Sequence, residues 1–112
     1  MMIEHAFQPL LALNDVARGR MRSCRIGERE LVVCHTRDGV FAVDNVCTHA
    51  FARMSEGYLK GTRLTCPLHG ATFDVRTGAV LGGPATAPLA AYQTRVVDGM
   101  VEVAIPPEGS TT

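Results

Sequence analysis

Apolar and polar residues alternate over short stretches of this chain, and glycine and proline residues separate the stretches. Met21 to Ile26 alternates with the period of two that a half-buried strand requires. The apolar run Leu31 to Cys34 is followed by Val40 to Val43. The Asp38-Gly39 pair between these two runs is a strong local signal for a β-hairpin. This part of the chain therefore predicts three antiparallel strands.

The two ends of the chain carry the same pattern. Phe7 to Leu13 is a plausible strand, and its Pro9 cannot donate a backbone hydrogen bond, so we expect it at a sheet edge. Tyr92 to Val97 and Met100 to Ile105 are separated by Asp98-Gly99 and predict a closing hairpin. The one helical candidate is a single turn at Asn14 to Arg18.

The middle of the chain is richer in Gly, Cys, His and turn residues, and its predicted strands are shorter. These strands are Arg63 to Thr65, Thr72 to Val75 and Ala79 to Leu81. We therefore predict one all-β domain over residues 1–112 in which both ends form the scaffold and a small module is inserted between them. The predicted parts are a basal β scaffold (1–44 and 86–105), an inserted subdomain (45–85) and a mobile tail (106–112).

Composition narrows the class of protein. The chain has 112 residues, 46% of them hydrophobic, and 11 basic residues balance 11 acidic ones. A neutral chain has no overall field that attracts nucleic acid or an anionic membrane, so neither is expected as a partner. The chain also lacks a run of about 20 apolar residues and a secretory signal, so we expect a cytoplasmic protein with reduced thiols.

Two short motifs carry the candidate chemistry. Cys47-Thr48-His49 and Cys66-Pro67-Leu68-His69 each combine one thiol with one imidazole, a donor set that suits iron or zinc. A structural zinc site with two Cys and two His is one interpretation. However, zinc fingers pair Cys with Cys and His with His, whereas each motif here is mixed. The mixture favours a cluster of two irons, and zinc remains the alternative.

A longer pattern surrounds these motifs. The segment from Cys47 to Gly57, the segment Leu64 to Asp74 (LTCPLHGATFD) and the stretch Thr77-Gly78 to Pro84-Ala85 resemble Rieske [2Fe-2S] ferredoxins. They resemble in particular the ferredoxin components of bacterial aromatic-ring-hydroxylating dioxygenase systems of the biphenyl, naphthalene and carbazole types. The resemblance implies an antiparallel β-sandwich with an inserted cluster-binding subdomain at one exposed tip.

The same resemblance implies a function and a ligand set. Cys47 and Cys66 would bind one iron of a single [2Fe-2S] cluster, and His49 and His69 the other. The protein would be a monomeric one-electron carrier without catalytic residues, between an NAD(P)H-dependent flavin reductase and a terminal Rieske oxygenase. Alternatives are a small Rieske subunit of a nitrite-reductase-like complex and a zinc-stapled interaction domain.

Departures from the high-potential respiratory relatives predict the redox behaviour. Those relatives carry an extra Cys in each ligand loop, where this chain has Leu68 in the second and none in the first. They also place Ser and Tyr hydroxyls where this chain has Ala71 and Phe73. Hydrogen bonds to sulfur favour the reduced cluster, so their absence predicts a low midpoint potential for a Rieske centre.

Other residues receive ordinary roles. Phe51, Leu68 and Pro84 are candidates for a small apolar docking face around the ligand loops. Four further sets are expected to be structural or solvated: the strand thiols Cys24 and Cys34, the histidines His5 and His35, the basic cluster Arg18, Arg20 and Arg22, and the turn residue Asp74.

Overall fold

The computed structural model describes residues 6–48 and 51–105. In these ranges the chain forms ten strands and two short 3-10 helices, the latter at Leu13–Asp15 and Met54–Glu56. The strands are β1 (Phe7–Ala12), β2 (Met21–Ile26), β3 (Arg29–Thr36), β4 (Gly39–Asp44), β5 (Tyr58–Lys60), β6 (Arg63–Thr65), β7 (Thr72–Asp74), β8 (Val80–Gly82), β9 (Ala91–Val97) and β10 (Met100–Ala104).

The strands form two antiparallel sheets, which confirms the all-β prediction. The larger sheet has six strands in the order β1-β10-β9-β4-β3-β2, and the smaller has four in the order β5-β6-β7-β8. Strand β1 lies at an edge, as Pro9 predicts, and its pairing with β10 is irregular between Pro9 and Leu11. In the described ranges, no helix is long and apolar enough to span a bilayer.

Both predicted hairpin turns are present. Gly39 has a φ of 140° where β3 turns into β4. Asp98 and Gly99 have φ values of 52° and 78° between β9 and β10. Two consecutive residues with positive φ give the turn twist that joins antiparallel strands, and Asp-Gly is a favoured pair for it. The conformations of the turn residues therefore set the register of these two hairpins.

Strand β3 is buried on both of its faces and so connects the two halves of the molecule. The side chains of Leu31 and Val33 pack in clusters with residues of other strands of the six-stranded sheet. Val32 and Cys34 point the other way, into the cluster of buried residues that also holds Phe73 of the smaller sheet. The smaller sheet thus packs on one face of β3, and the side chains on the other face pack against residues of the larger sheet.

Three local predictions differ from the structure. The helical turn covers Leu13–Asp15 rather than starting at Asn14. Strand β3 extends beyond Leu31 to Cys34 in both directions because its hairpin partners pair along its whole length. Strand β5 was not predicted, since three residues with one Lys carry too little pattern; it forms by pairing with β6.

The strands of the larger sheet come from residues 7–44 and 91–104, and those of the smaller sheet from 58–82. The division of the chain at residues 45 and 85 stays a prediction. The predicted tail, 106–112, lies outside the described residues, as does His5.

Candidate metal centre

Two of the four candidate ligands are buried together. Cys47 follows β4 and is 4% exposed, and Cys66 follows β6 and is 1% exposed. Both belong to one cluster of buried residues, which also includes Ala71 and Ala85. His69 follows Cys66 closely in the chain and is exposed. His49 lies outside the described residues. The fold therefore brings the two thiols into one core from segments that are distant in sequence.

The first loop is closed by backbone hydrogen bonds. The Cys47 amide donates to the Ala52 carbonyl at 2.9 Å. Val46 and Arg53 form an isolated antiparallel bridge just outside that bond. Cys47 and Ala52 are thus held together at the two ends of the first ligand segment.

The second loop repeats this geometry. The Cys66 amide donates to the Ala71 carbonyl at 2.8 Å, and the Gly70 amide donates to the Cys66 carbonyl at 3.2 Å. Gly70 has a φ of 80°, a conformation that glycine adopts without steric cost. In both loops, a cysteine at the base is bonded to the residue five positions later. Two such loops side by side present their two cysteines in the same way.

A third loop is hydrogen-bonded to the first. The Thr48 hydroxyl donates to the Ala87 carbonyl at 2.7 Å, although the two residues are far apart in sequence. Ala85 of the same loop contributes to the cluster of buried residues around the two cysteines. Residues 83–88 therefore pack beside the ligand loops.

Two side chains fix the base of the first loop to the rest of the molecule. The Arg53 guanidinium donates to both carboxylate oxygens of Glu30 on β3, at 2.9 and 3.3 Å. This hydrogen bond lowers the pKa of Glu30. The Asn45 side-chain oxygen accepts from the Ser55 amide at 2.8 Å, and Asn45 is fully buried. Both contacts anchor segments that flank Cys47.

Gly57 controls the spacing of the two ligand loops. A Cβ at this position would lie 1.9 Å from the Thr65 carbonyl oxygen and 3.1 Å from Cδ of Pro67. Only a residue without a side chain allows this approach. Because Thr65 and Pro67 flank Cys66, the close contact seats the second loop on the segment that follows the first.

The donor set fits a group with two metal ions. Two buried thiols and an exposed imidazole lie on adjoining loops, so thiol and imidazole donors differ in depth. Within the part of the chain that is described, no three His, Cys, Asp or Glu side chains group closely enough to hold one ion. A two-iron cluster takes two protein ligands on each iron and does not require such a group.

The remaining candidates have the ordinary roles predicted for them. Cys34 is fully buried, and burial raises the pKa of its thiol to about 12, so it is an unreactive core residue. Cys24 is half-buried, with a pKa that burial also raises. Arg18, Arg20 and Arg22 are exposed to solvent. Asp74 accepts a hydrogen bond from the Arg76 amide at 2.9 Å and is the predicted turn residue.

No sequence pattern singles out Asn45, Arg53 or the exact role of Gly57. Their partners lie in other segments, and each function depends on a contact that no local pattern encodes. The only local signal is that Asn45 and Gly57 bracket the first motif.

The chain is similar to known proteins in sequence and in structure. The profile of the Rieske [2Fe-2S] domain matches residues 6–93. The chain is 37% identical to the anthranilate 1,2-dioxygenase ferredoxin subunit of Burkholderia cepacia, over 87% of this chain and 90% of the relative. It is 38% identical to the ferredoxin component of the naphthalene 1,2-dioxygenase system of Pseudomonas putida, over 77% and 83% of the two chains.

Solved structures agree with the sequence relatives. The ferredoxin in the complex of reduced oxygenase and oxidized ferredoxin of carbazole 1,9a-dioxygenase superposes with a TM-score of 0.82. It shares 35% sequence identity, over 90% of this chain and 94% of that one. A putative NADH-dependent nitrite reductase small subunit from Mycobacterium tuberculosis has a TM-score of 0.83 at 22% identity, a likeness of fold alone.

These matches agree with the mixed Cys and His loops, since Rieske centres hold two irons and two sulfides with two Cys and two His. The chain therefore belongs to the Rieske [2Fe-2S] domain family.

Proposed function

We propose that this protein is the ferredoxin of an aromatic-ring-hydroxylating dioxygenase system, a one-electron carrier rather than an enzyme. In this proposal Cys47 and Cys66 bind one iron of the cluster, and His49 and His69 bind the other. The observation that carries it is the matched pair of loops, each with its cysteine buried at the base.

The burial of these side chains supports a direction for the electron. The two thiols lie in the core, whereas His69 is exposed. When bound, a [2Fe-2S] cluster accepts and releases one electron at a time. Thiols at the base and the His69 imidazole at the surface place the His69 side of the site where a partner protein can approach. We therefore propose the His ligands, His69 and His49, as the exit.

The match to relatives supports a carrier. The chain aligns with 90% of the anthranilate dioxygenase ferredoxin subunit at 37% identity. We propose a flavin-dependent NAD(P)H reductase as the donor and a terminal Rieske oxygenase as the acceptor. The carbazole dioxygenase complex, in which a ferredoxin binds its oxygenase, supports the second of these. A monomer in the cytoplasm fits a shuttle between two proteins.

The alternatives are less well supported. The nitrite reductase small subunit shares the fold at 22% identity, below the 37% and 38% of the dioxygenase ferredoxins. A zinc site would need all four donors on one ion. In a cluster with two metals, each mixed loop instead supplies its Cys to one metal and its His to the other.

The proposal is tested on the purified protein by iron and acid-labile sulfide analysis and by electron paramagnetic resonance after reduction. We expect two irons and two sulfides per chain and the low average g value of a cluster with two nitrogen ligands. Cys66→Ser and His69→Ala should each abolish or strongly alter the signal. Cys34→Ser is the matched control, because Cys34 is an equally buried thiol that is assigned no iron.

Two results would overturn the assignment. One is a colourless protein that binds zinc after anaerobic reconstitution with iron and sulfide. The other is a normal spectrum in His69→Ala. The carrier role is tested separately by mixing reduced protein with the terminal oxygenase and following reoxidation, which we expect to be complete and to transfer one electron per chain.

A further inference from the structure

The positive charges of the molecule are distributed unevenly. In the described residues, four arginines form ion pairs with carboxylates: Arg25 and Arg53 with Glu30, Arg76 with Asp74, and Arg95 with Glu102. Five exposed basic side chains line one cavity or adjoin its lining residues in the chain, and within residues 6–48 and 51–105 they form no ion pair: Arg18, Arg20, Arg37, Lys60 and Arg63. The surface around this cavity is here called the basic end.

The cavity lies where three segments meet. Its lining residues come from the turn before β2, the turn between β3 and β4, and the turn between β5 and β6: Arg18 and Gly19, Thr36 to Asp38, and Gly61 and Thr62. The Gly19 amide donates to the His35 carbonyl at 2.6 Å, and the His35 amide donates to the Arg20 carbonyl at 3.0 Å. These two hydrogen bonds fix the first segment beside the second.

Three side-chain donors on this cavity are without an acceptor among the described residues. They are the guanidinium groups of Arg18 and Arg37 and the hydroxyl group of Thr62. The Thr36 hydroxyl differs, because it donates to the Gly39 carbonyl at 2.9 Å and so holds the turn. Asp38 is the only carboxylate among the lining residues, so the cavity has an excess of positive charge.

The turn between β5 and β6 adds a pair of like charges. Lys60 and Arg63 lie directly opposite each other in the ladder, an arrangement that destabilises a sheet. Asp74 is the partner of Arg63 on β7, but its carboxylate accepts two hydrogen bonds from the Arg76 guanidinium, at 3.0 and 2.8 Å. An anion bound beside Lys60 and Arg63 would offset their repulsion.

We propose that the basic end is a binding site for a polyvalent oxyanion, of the class of pyrophosphate or the phosphate groups of a nucleotide. The Arg18 and Arg37 guanidinium groups would each donate paired N–H bonds to phosphate oxygens, and the Thr62 hydroxyl would donate to a further oxygen. An anion with more than one negative charge is favoured, because five cations surround a cavity that has one carboxylate.

This site is separate from the metal centre. Asp38 directly precedes β4, and Cys47 lies three residues after that strand ends. Thr62 directly precedes β6, and Cys66 directly follows it. The cavity and the ligand loops therefore lie at opposite ends of both strands. A bound anion would leave the His69 side of the metal centre accessible, and the inference does not depend on the proposed function.

The test is calorimetric titration of the holoprotein with inorganic pyrophosphate at low salt. We expect saturable binding of a single anion per chain. Arg18→Gln and Arg37→Gln should each weaken it by roughly 5-fold, between the loss of an exposed ion pair and that of a charged hydrogen bond. Arg22→Gln is the matched control: Arg22 is exposed and its loss changes the net charge equally, but it does not line the cavity, so its variant should bind as the wild type does. All variants should keep the wild-type visible spectrum.

A titration with ADP distinguishes the two sources of the phosphate groups. Tighter binding of ADP than of pyrophosphate assigns the site to a nucleotide, and binding that is no tighter assigns it to the free anion.

Four results would overturn the inference. They are no saturable binding of pyrophosphate, wild-type affinity in the double variant of Arg18→Gln and Arg37→Gln, equal weakening in Arg22→Gln, and tighter binding of poly-glutamate than of pyrophosphate. Equal weakening would show attraction by net charge alone, and the last result would assign the surface to an acidic protein. All four leave the proposed function standing, since that is tested by the spectrum of the cluster.

Discussion

The substitution Gly57→Ala tests whether the spacing of the two ligand loops is set by a single glycine. A methyl group at Gly57 would lie 1.9 Å from the Thr65 carbonyl oxygen, and real Cβ atoms essentially never approach another atom within 3.0 Å. The backbones of Gly57 and Thr65 must therefore separate by at least about 1.1 Å. The contacted atom is backbone in a paired strand and cannot rotate aside, so we expect the second loop to move relative to the segment that follows the first.

The size of the effect follows from this displacement. Forcing an extra methyl group into a packed region costs about 1–3 kcal/mol. Movement of Cys66 relative to Cys47 adds a loss of cluster binding, because both cysteines are proposed to hold the same iron. We expect a protein that folds with lower stability and retains well under two irons per chain.

The assay compares Gly57→Ala with Gly83→Ala after identical anaerobic reconstitution and desalting. A Cβ at Gly83 meets no atom within 4 Å, and its φ lies outside the left-handed region. Iron content, visible absorbance and the urea midpoint are measured for both variants. Full iron occupancy together with an unchanged midpoint in Gly57→Ala would refute the reasoning.

Three further outcomes follow from the structure. The midpoint potential should lie toward the lower end of the Rieske range of about −150 to +300 mV, and Ala71→Ser should raise it by adding a donor in the core beside the cysteines; a titration with a wild-type midpoint well above zero contradicts this. Burial, with the hydrogen bond to Asp44, raises the pKa of Tyr92 from 10.0 to about 12. The neutral phenol is thus favoured in the folded state, so its contribution is complete below pH 10.0 and is lost as the pH rises to about 12. At about 1.36 kcal/mol per unit this loss is at most a few kcal/mol, and Tyr92→Phe should remove it from urea unfolding curves measured across that range. Finally, Asn45→Ala should lower the free energy of unfolding by about 1–3 kcal/mol, because the Ser55 amide loses its buried acceptor, whereas an unchanged urea midpoint would show that this bond contributes nothing.

The sequence predicts those features that neighbouring residues determine. Asp98-Gly99 is a pair that favours its turn, and the predicted strand Met21 to Ile26 has the bounds of β2. The run Leu31 to Cys34 predicts a strand, and the structure places it in β3 with all four side chains buried. In each case the cause is local, in backbone conformation or in side-chain periodicity.

The candidate site likewise has some features that the sequence predicts and others that it does not. The mixed motifs identify their donors, because thiols and imidazoles at short spacing have few other uses. The contacts that position them are long-range: Arg53 reaches Glu30, and Gly57 lies against the Thr65 carbonyl. A short strand such as β5 also depends on its partner for existence. Such pairings have no signature within a single stretch of sequence.

The chain between Asp44 and Ala90 leaves and rejoins the larger sheet at neighbouring positions, since Val43 pairs with Ala91 and the Asp44 amide donates to the Ala90 carbonyl at 2.9 Å. The entropy of closing such a loop grows only with the logarithm of its length, by roughly 0.6 kcal/mol for each doubling. Residues can therefore be added to or removed from the loop tips at little cost to the scaffold. The same base can accordingly carry tips of different reach, each shaped for a different acceptor.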